Sequence, residues 1–286
     1  MLCFVASILF YLLQNFSNKQ FSKTVKRSST GITLVKNGIC VLCNTLALLI
    51  VSGVKIMPAP IMAIAALFGC FYLLTVFLLL KAFHLGSMGN STLICNIGMF
   101  IASFYGIFRF GDAFTVYIGI GTALLFIAIL LCTPIEKKVS FKWFWTALAS
   151  GISNGIVASI KREAVALYAD DIQIFLIWGF FFAALFAFLF LSFTKANRDD
   201  AAIVLKRPKL ILFGVFAGIG TSGANLFQML AVKTVSSAIV YPLTSGILVV
   251  SLWLVSYFFY KEEQLKAKNI LAVLLCIAAI ILVNIK

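Results

Sequence analysis

Residues 172–194 read IQIFLIWGFFFAALFAFLFLSFT, twenty-three consecutive positions without a formal charge. As a helix rising 1.5 Å per residue this stretch spans roughly 34 Å, enough to cross a hydrocarbon core of about 30 Å. Asp170 and Asp171 precede it and Lys195 follows it, so charge resumes only where the apolar run ends. Working outward, the same pattern recurs along the chain, which is 63% hydrophobic and 11% charged with a mean hydropathy of +1.10. A soluble domain of this length needs a mostly polar surface, whereas here polar residues gather in short runs between apolar ones. The bilayer is therefore the solvent.

Lipid offers the backbone no hydrogen-bond partners, so each crossing must be a helix or belong to a closed barrel. Segments of about 17–25 residues without ten-residue alternation favour helices. Ten are expected, over residues 1–18, 32–52, 58–81, 91–108, 112–131, 143–160, 172–194, 210–232, 236–260 and 267–285. The first has no positive charge before it and no small-residue cleavage pattern after it, and so reads as a retained span rather than a signal peptide. Pro134 with Glu136, Lys137, Lys138 and Lys142 marks a midpoint, dividing the chain into 1–135 and 136–286.

The halves resemble each other. One offset of 149 places Gly69 on Gly218, Ala82 on Ala231 and Ser87 on Ser236, and Lys19 and Lys161 each follow the first helix of a half. With five spans per half, the second half enters the membrane opposite to the first, which predicts an all-α integral membrane protein of two inverted five-helix repeats. Of the lysines and arginines, sixteen fall in the odd-numbered connectors and five on the other side. The positive-inside rule then puts the odd connectors in the cytoplasm and both termini outside. The net charge of +14 needs no nucleic-acid partner, since attraction to anionic lipid accounts for it.

Four stretches carry a family resemblance: KAFHLGSMGNST (81–92) and AVKTVSSAIVYPL (231–243), leading into the fourth and ninth helices, and RFGDAFT (109–115) and YKEEQL (260–265) after them. They resemble the Ala-x-x-x-x-Ser lead and the Gly-Glu signature of the drug/metabolite transporter superfamily, in its ten-helix form of two EamA-type repeats. Asp112 stands in place of the Glu in the first half and Lys261 in place of the Gly in the second. The resemblance implies a secondary transporter of the plasma (inner) membrane, acting as a monomer among lipids, with a cavity among helices 1, 4, 6, 8 and 9. It also implies cytoplasmic termini, opposite to the charge count. Small relatives that exchange cationic drugs for protons use a membrane-embedded carboxylate, and none of the nine acidic residues lies clearly in mid-span. A neutral or zwitterionic metabolite, such as an amino acid or nucleoside, is the better expectation, exported by alternating access.

Mid-span polar groups are the candidates for holding that solute, because an unsatisfied amide or hydroxyl in lipid is costly. They are Gln14, Asn96, Asn154, Asn225, Gln228 and Tyr241, with Asn44, Thr244 and Ser245 beside them. Pro242, lacking an N–H, is expected to free the Ala238 carbonyl and interrupt helix 9. Asp112 and Glu262/Glu263 read as helix caps, and Lys36, a turn inside helix 2, as snorkelling to the interface. Small residues four apart (Ala147, Gly151, Gly155, Ser159; Gly214, Gly218, Ser222; Gly98, Ala102, Gly106) predict close packing of helices 4, 6 and 8. Seven cysteines, Cys40 and Cys43 among them, and the lone His84 form no ligand set, so no metal or cofactor is expected. Two alternatives remain. A lipid-linked flippase would use the same fold with a groove open to lipid. An enzyme would lean on Asp170-Asp171 and Asp199-Asp200, pairs that flank helix 7 and so lie on opposite faces of the membrane.

Overall fold

The computed structural model describes residues 2–25, 29–53, 55–96, 98–112, 115–132, 141–235, 237–261 and 267–283. Among them every regular element is a helix. In chain order these are α1 (Leu2–Val25), α2 (Thr30–Ser52), α3 (Ala59–Leu85), α4 (Met88–Cys95), α5 (Gly98–Phe110), α6 (Val116–Cys132), α7 (Phe141–Leu167), α8 (Ile172–Ser192), α9 (Lys195–Leu205), α10 (Pro208–Thr234), α11 (Ser237–Val255) and α12 (Ala267–Val283). A π-helical turn, Ser256–Tyr260, extends α11. Five helical stretches are long and apolar enough to cross a bilayer: α2, α3, α8, α10 and Ile239–Tyr260. The protein is an all-α, multi-pass membrane protein.

Local chemistry sets several helix starts. Ser29 Oγ accepts from Ile32 N at 3.2 Å to cap α2, and Thr194 Oγ1 accepts from Asn197 N at 3.2 Å to cap α9. Prolines stand at the starts of α3 and α10, where a missing N–H costs no helical bond.

In packing, α3 lies on α7 and α8, α10 on α1 and α2, α2 on α8, α6 on α12, and α5 on α7 and α11. The largest buried cluster is aromatic at its centre, where Phe68 meets Phe175 and Phe180, each with ring centroids 5.5 Å apart. The small-residue stripes behave as anticipated on α5 and α7. A Cβ built on Gly98 would run into the Gly151 carbonyl and lie 2.7 Å from Gly155 N, so only glycine lets these backbones meet.

Four expectations are corrected. The connector after α8 is not irregular but holds α9, whose Ala201 and Val204 pack with Phe21, Ile32 and Leu210. The helix break lies in the fourth apolar stretch, between α4 and α5, while α11 runs unbroken through Pro242. At the break Asn96 Nδ2 donates to the Thr92 carbonyl at 2.8 Å, and the flanking backbone of Cys95 and Gly98 rests on Gly151 and Gly155 of α7 rather than on lipid. Asp112 does not cap α6. Thr115 does, accepting from Ile118 N at 3.3 Å, while Asp112 pairs with Arg162 at 3.2 Å and accepts from Ser237 Oγ. Lys36 does not snorkel. It is 1% exposed, with Nζ donating to Asn18 Oδ1 and, at 3.4 Å, to Asn37 Oδ1. The proposed repeat boundary at 135/136 and Glu262/Glu263 lie outside the described residues.

Candidate functional site

Helix α1 carries an internal polar stripe. Ser7, Tyr11, Gln14, Asn15, Asn18, Lys19 and Ser22 recur at three- and four-residue steps, which collects them on one face. All are buried except Tyr11, which is partly so. Helix α7 carries a second such face with Ser150, Ser153, Asn154 and Lys161. These two helices carry their polar residues largely on buried faces, turned inward rather than to lipid.

The two faces meet at a cavity of about 70 Å³. Its wall draws Tyr11, Gln14 and Asn15 from α1, Tyr72 and Thr75 from α3, Thr92 from α4, and Asn96 at the helix break. From the second half come Ser150 and Asn154 of α7, Asn225 of α10, and Thr244 and Ser245 of α11. Many of these polar groups bond one another. Tyr72 OH donates to Thr221 Oγ1 at 3.2 Å, Gln14 Nε2 to Tyr72 OH at 3.4 Å, Thr75 Oγ1 to Ser153 Oγ at 2.9 Å, and Ser150 Oγ to the Thr75 carbonyl at 2.9 Å. Others on the wall are buried without a protein partner among the described residues: Gln14 Oε1, Asn15 Oδ1 and Ser245 Oγ. A buried polar atom left open in a wall of this kind is what a bound solute or water satisfies.

Of the six residues selected for solute binding, Gln14, Asn96, Asn154 and Asn225 share this wall. Gln228 sits one layer behind it, its Oε1 accepting from Tyr11 OH at 2.9 Å and from Lys161 Nζ. Tyr241 is turned away, its hydroxyl donating to the Ala158 carbonyl at 2.9 Å and tying α11 to α7. Asn44 is likewise a helix tie, accepting from Ser222 Oγ at 2.6 Å.

Sequence reasoning missed Tyr11, Asn15, Tyr72 and Lys161. The periodic polar face of α1 was the available signal for the first two. Lys161 was counted as a connector residue, yet it is 2% exposed.

The acidic pairs behave as ordinary surface ions on one side, with Lys233 3.0 Å from Asp170 and Lys55 3.1 Å from Asp171. The same end of the bundle carries the Arg162–Asp112 pair and a second one, Arg109 Nε to Glu163 Oε1 at 3.1 Å. Tyr105 OH also donates to Glu163.

No protein-family profile and no curated protein matches the chain by sequence. Solved structures do match by shape. One, described only as the crystal structure of a protein, superposes with a TM-score of 0.63 at 13% identity, covering 99% of this chain and 98% of that one. At that identity the likeness concerns the fold alone.

Proposed function

We propose that the protein is a secondary transporter of the drug/metabolite transporter type, an exporter of a small neutral or zwitterionic metabolite through the plasma (inner) membrane. Two inverted five-helix repeats rock around the central cavity, closing one side as the other opens. The observation that carries this reading is a polar cavity in the middle of an apolar helical bundle, walled by amides and hydroxyls from both halves.

Packing supports the repeat. Exchanging the five segments of one half for those of the other turns the α1–α10 contact into α7–α3, and α3–α8 into α10–α2, all of which are present. Gly69 packs on the Gly179 carbonyl and Ala183 N of α8, while Gly218, its partner at the 149 offset, packs on the Cys40 carbonyl and Cys43 of α2. Tyr72 and Thr221, also 149 apart, hydrogen-bond each other, as residues beside a two-fold axis would. The protein acts as a monomer surrounded by lipid, as a carrier rather than an enzyme, with no nucleic-acid partner.

A thermal-shift screen of the purified protein against amino acids, nucleosides, sugars and cationic drugs tests the cavity, since binding raises stability by mass action. One solute class should raise the melting temperature, and Asn225→Ala should remove that shift. Cysteines at 112 and 162, bridged by a short bifunctional reagent, should then stop flux in liposomes, and undiminished flux would count against rocking repeats. The flippase alternative draws on an apolar groove of about 370 Å³ open to the outside of the bundle between α2, α3 and α8, lined by Leu73, Leu74, Phe77, Phe186 and Phe190. A folded protein that ignores every water-soluble solute would shift the weight there.

A further inference from the structure

Among the described residues Lys161 is a buried cation with no carboxylate bonded to it. Its Nζ donates to Asn225 Oδ1 at 3.1 Å and to Gln228 Oε1, both neutral amides. The acidic groups nearest to it in the chain and on the facing elements are engaged elsewhere. Glu163 accepts from Tyr105 OH and Arg109, and Asp112 from Arg162 and Ser237. Amide oxygens satisfy N–H donors but leave a full positive charge uncompensated, and taking an ammonium out of water costs several kcal/mol even after relaxation. A cation held this way is stabilised when a charge of opposite sign arrives.

The surroundings say from where it would arrive. Lys161 lies on the α7 face that carries Asn154 and Val157 into the cavity wall, one turn further along, and Asn225 is itself part of that wall. Gln228 Oε1 is taken by Lys161 and by Tyr11, another wall residue, whereas its Nε2 is buried with no partner among the described residues. The ammonium has three N–H bonds and two protein acceptors. Spare donors and a positive charge thus lie one layer behind the wall, in contact with the wall residues Asn225 and Tyr11. Gln14 Oε1 and Asn15 Oδ1, elsewhere on the same wall, offer spare acceptors.

We infer that the cavity takes a solute bearing a carboxylate, drawn to the Asn225 side of the wall by the charge of Lys161 and the Gln228 amide behind it, with hydrogen-bond donors of the solute meeting Gln14 and Asn15. This rests on the transporter reading and narrows it: neutral nucleosides and sugars are excluded, and Lys161 becomes the residue that selects for charge. Loading then sets the solute's carboxylate beside a positive group, whatever other charge the solute carries.

The test is a thermal-shift and calorimetric comparison on the full-length protein in lipid nanodiscs. The probes are the common α-amino acids and short monocarboxylates, the amide and methyl ester of each, and uridine and glucose. At least one free carboxylate should stabilise the wild type and bind roughly 10- to 100-fold more tightly than its amide, the usual value of a hydrogen bond to a charged group. Lys161→Gln should erase that preference, and Lys161→Arg should retain part of it. The acid-against-amide comparison uses only wild-type protein, so a variant that fails to fold does not obscure the answer. Equal binding of acid and amide, or a neutral probe whose binding needs Asn225 but not Lys161, would overturn the inference while leaving the cavity reading standing. Silence from every probe overturns both.

Discussion

On the two-repeat reading residues 88–110 and residues 237–260 occupy corresponding places, yet one is parted and the other is continuous. The first is interrupted between Cys95 and Gly98, where the Cys95 carbonyl lies 2.8 Å from the Cβ position of Gly151. The second runs as α11 through Pro242 and relaxes only at the π-helical turn from Ser256. The difference teaches that a membrane helix breaks where protein is ready to cover its bared backbone, not wherever an N–H is missing. A lost helical bond costs about 1 kcal/mol, which packing on both sides of a proline readily outweighs. At the α4–α5 junction the glycine seam of α7 supplies cover, and Asn96 occupies the Thr92 carbonyl with its own side chain.

The comparison can be broken most severely at Gly98. Gly98→Ala forces α5 away from α7 against backbone atoms that cannot swing aside, so a loss of about 3 kcal/mol is expected. It would be read as a lower melting temperature and a smaller folded fraction on size-exclusion chromatography. A wild-type melting curve for this variant would show that the seam does not hold the break.

Next in size is the tie between the end of the first-half segment and the second half. Arg162→Ala leaves Asp112, whose side chain is 8% exposed, facing Ser237 without its cation. A loss of about 2 kcal/mol is expected, between the values for exposed and fully buried pairs. Adding Asp112→Ala should restore part of that stability in a double-mutant cycle, and strict additivity would mean that the pair contributes nothing.

Tyr241→Phe sharpens the continuous side. It removes one hydrogen bond, to the Ala158 carbonyl, and should cost about 1 kcal/mol in thermal unfolding while leaving solute binding intact. Lost binding at unchanged stability would return Tyr241 to the cavity wall. The smallest effect belongs to Pro242→Ala, expected to stay within about 1 kcal/mol of wild type because α11 is already helical there. A large change in either stability or flux would show that the proline shapes this helix after all.

Much of the helical framework was legible because it follows from one energetic demand, backbone satisfaction in lipid, which writes itself as long apolar runs. Each of these runs is mainly helical where described, the fourth being interrupted at Asn96. α9 was missed because it answers a different demand. Its first six residues are mostly polar and its apolar end, where Ala201 and Val204 are buried, is only five residues long, far too short to read as a span. Asp112 was misread because capping is local whereas ion pairing is not: Arg162 lies 50 positions away, and only the fold brings it near. The same limit applies to the cavity. Asparagines and glutamines in mid-span announce that something polar is inside, but whether an amide faces a void, as Asn225 does, or another helix, as Asn44 does, depends on the rotation of each helix in the bundle. Lys161 and Lys36 show the opposite failure. Charge was assumed to seek water, and both ammoniums are instead met by amide oxygens inside the protein.

The Tyr72–Thr221 hydrogen bond has an evolutionary consequence. On the two-repeat reading, an ancestral dimer of identical five-helix chains would have set the same side chain against itself at this point, tyrosine on tyrosine or threonine on threonine. Two phenols would crowd each other and two threonines would fall short. Once fused into one chain, the two positions were free to differ, one supplying reach and the other room. On that reading the contact is a mark of divergence after duplication.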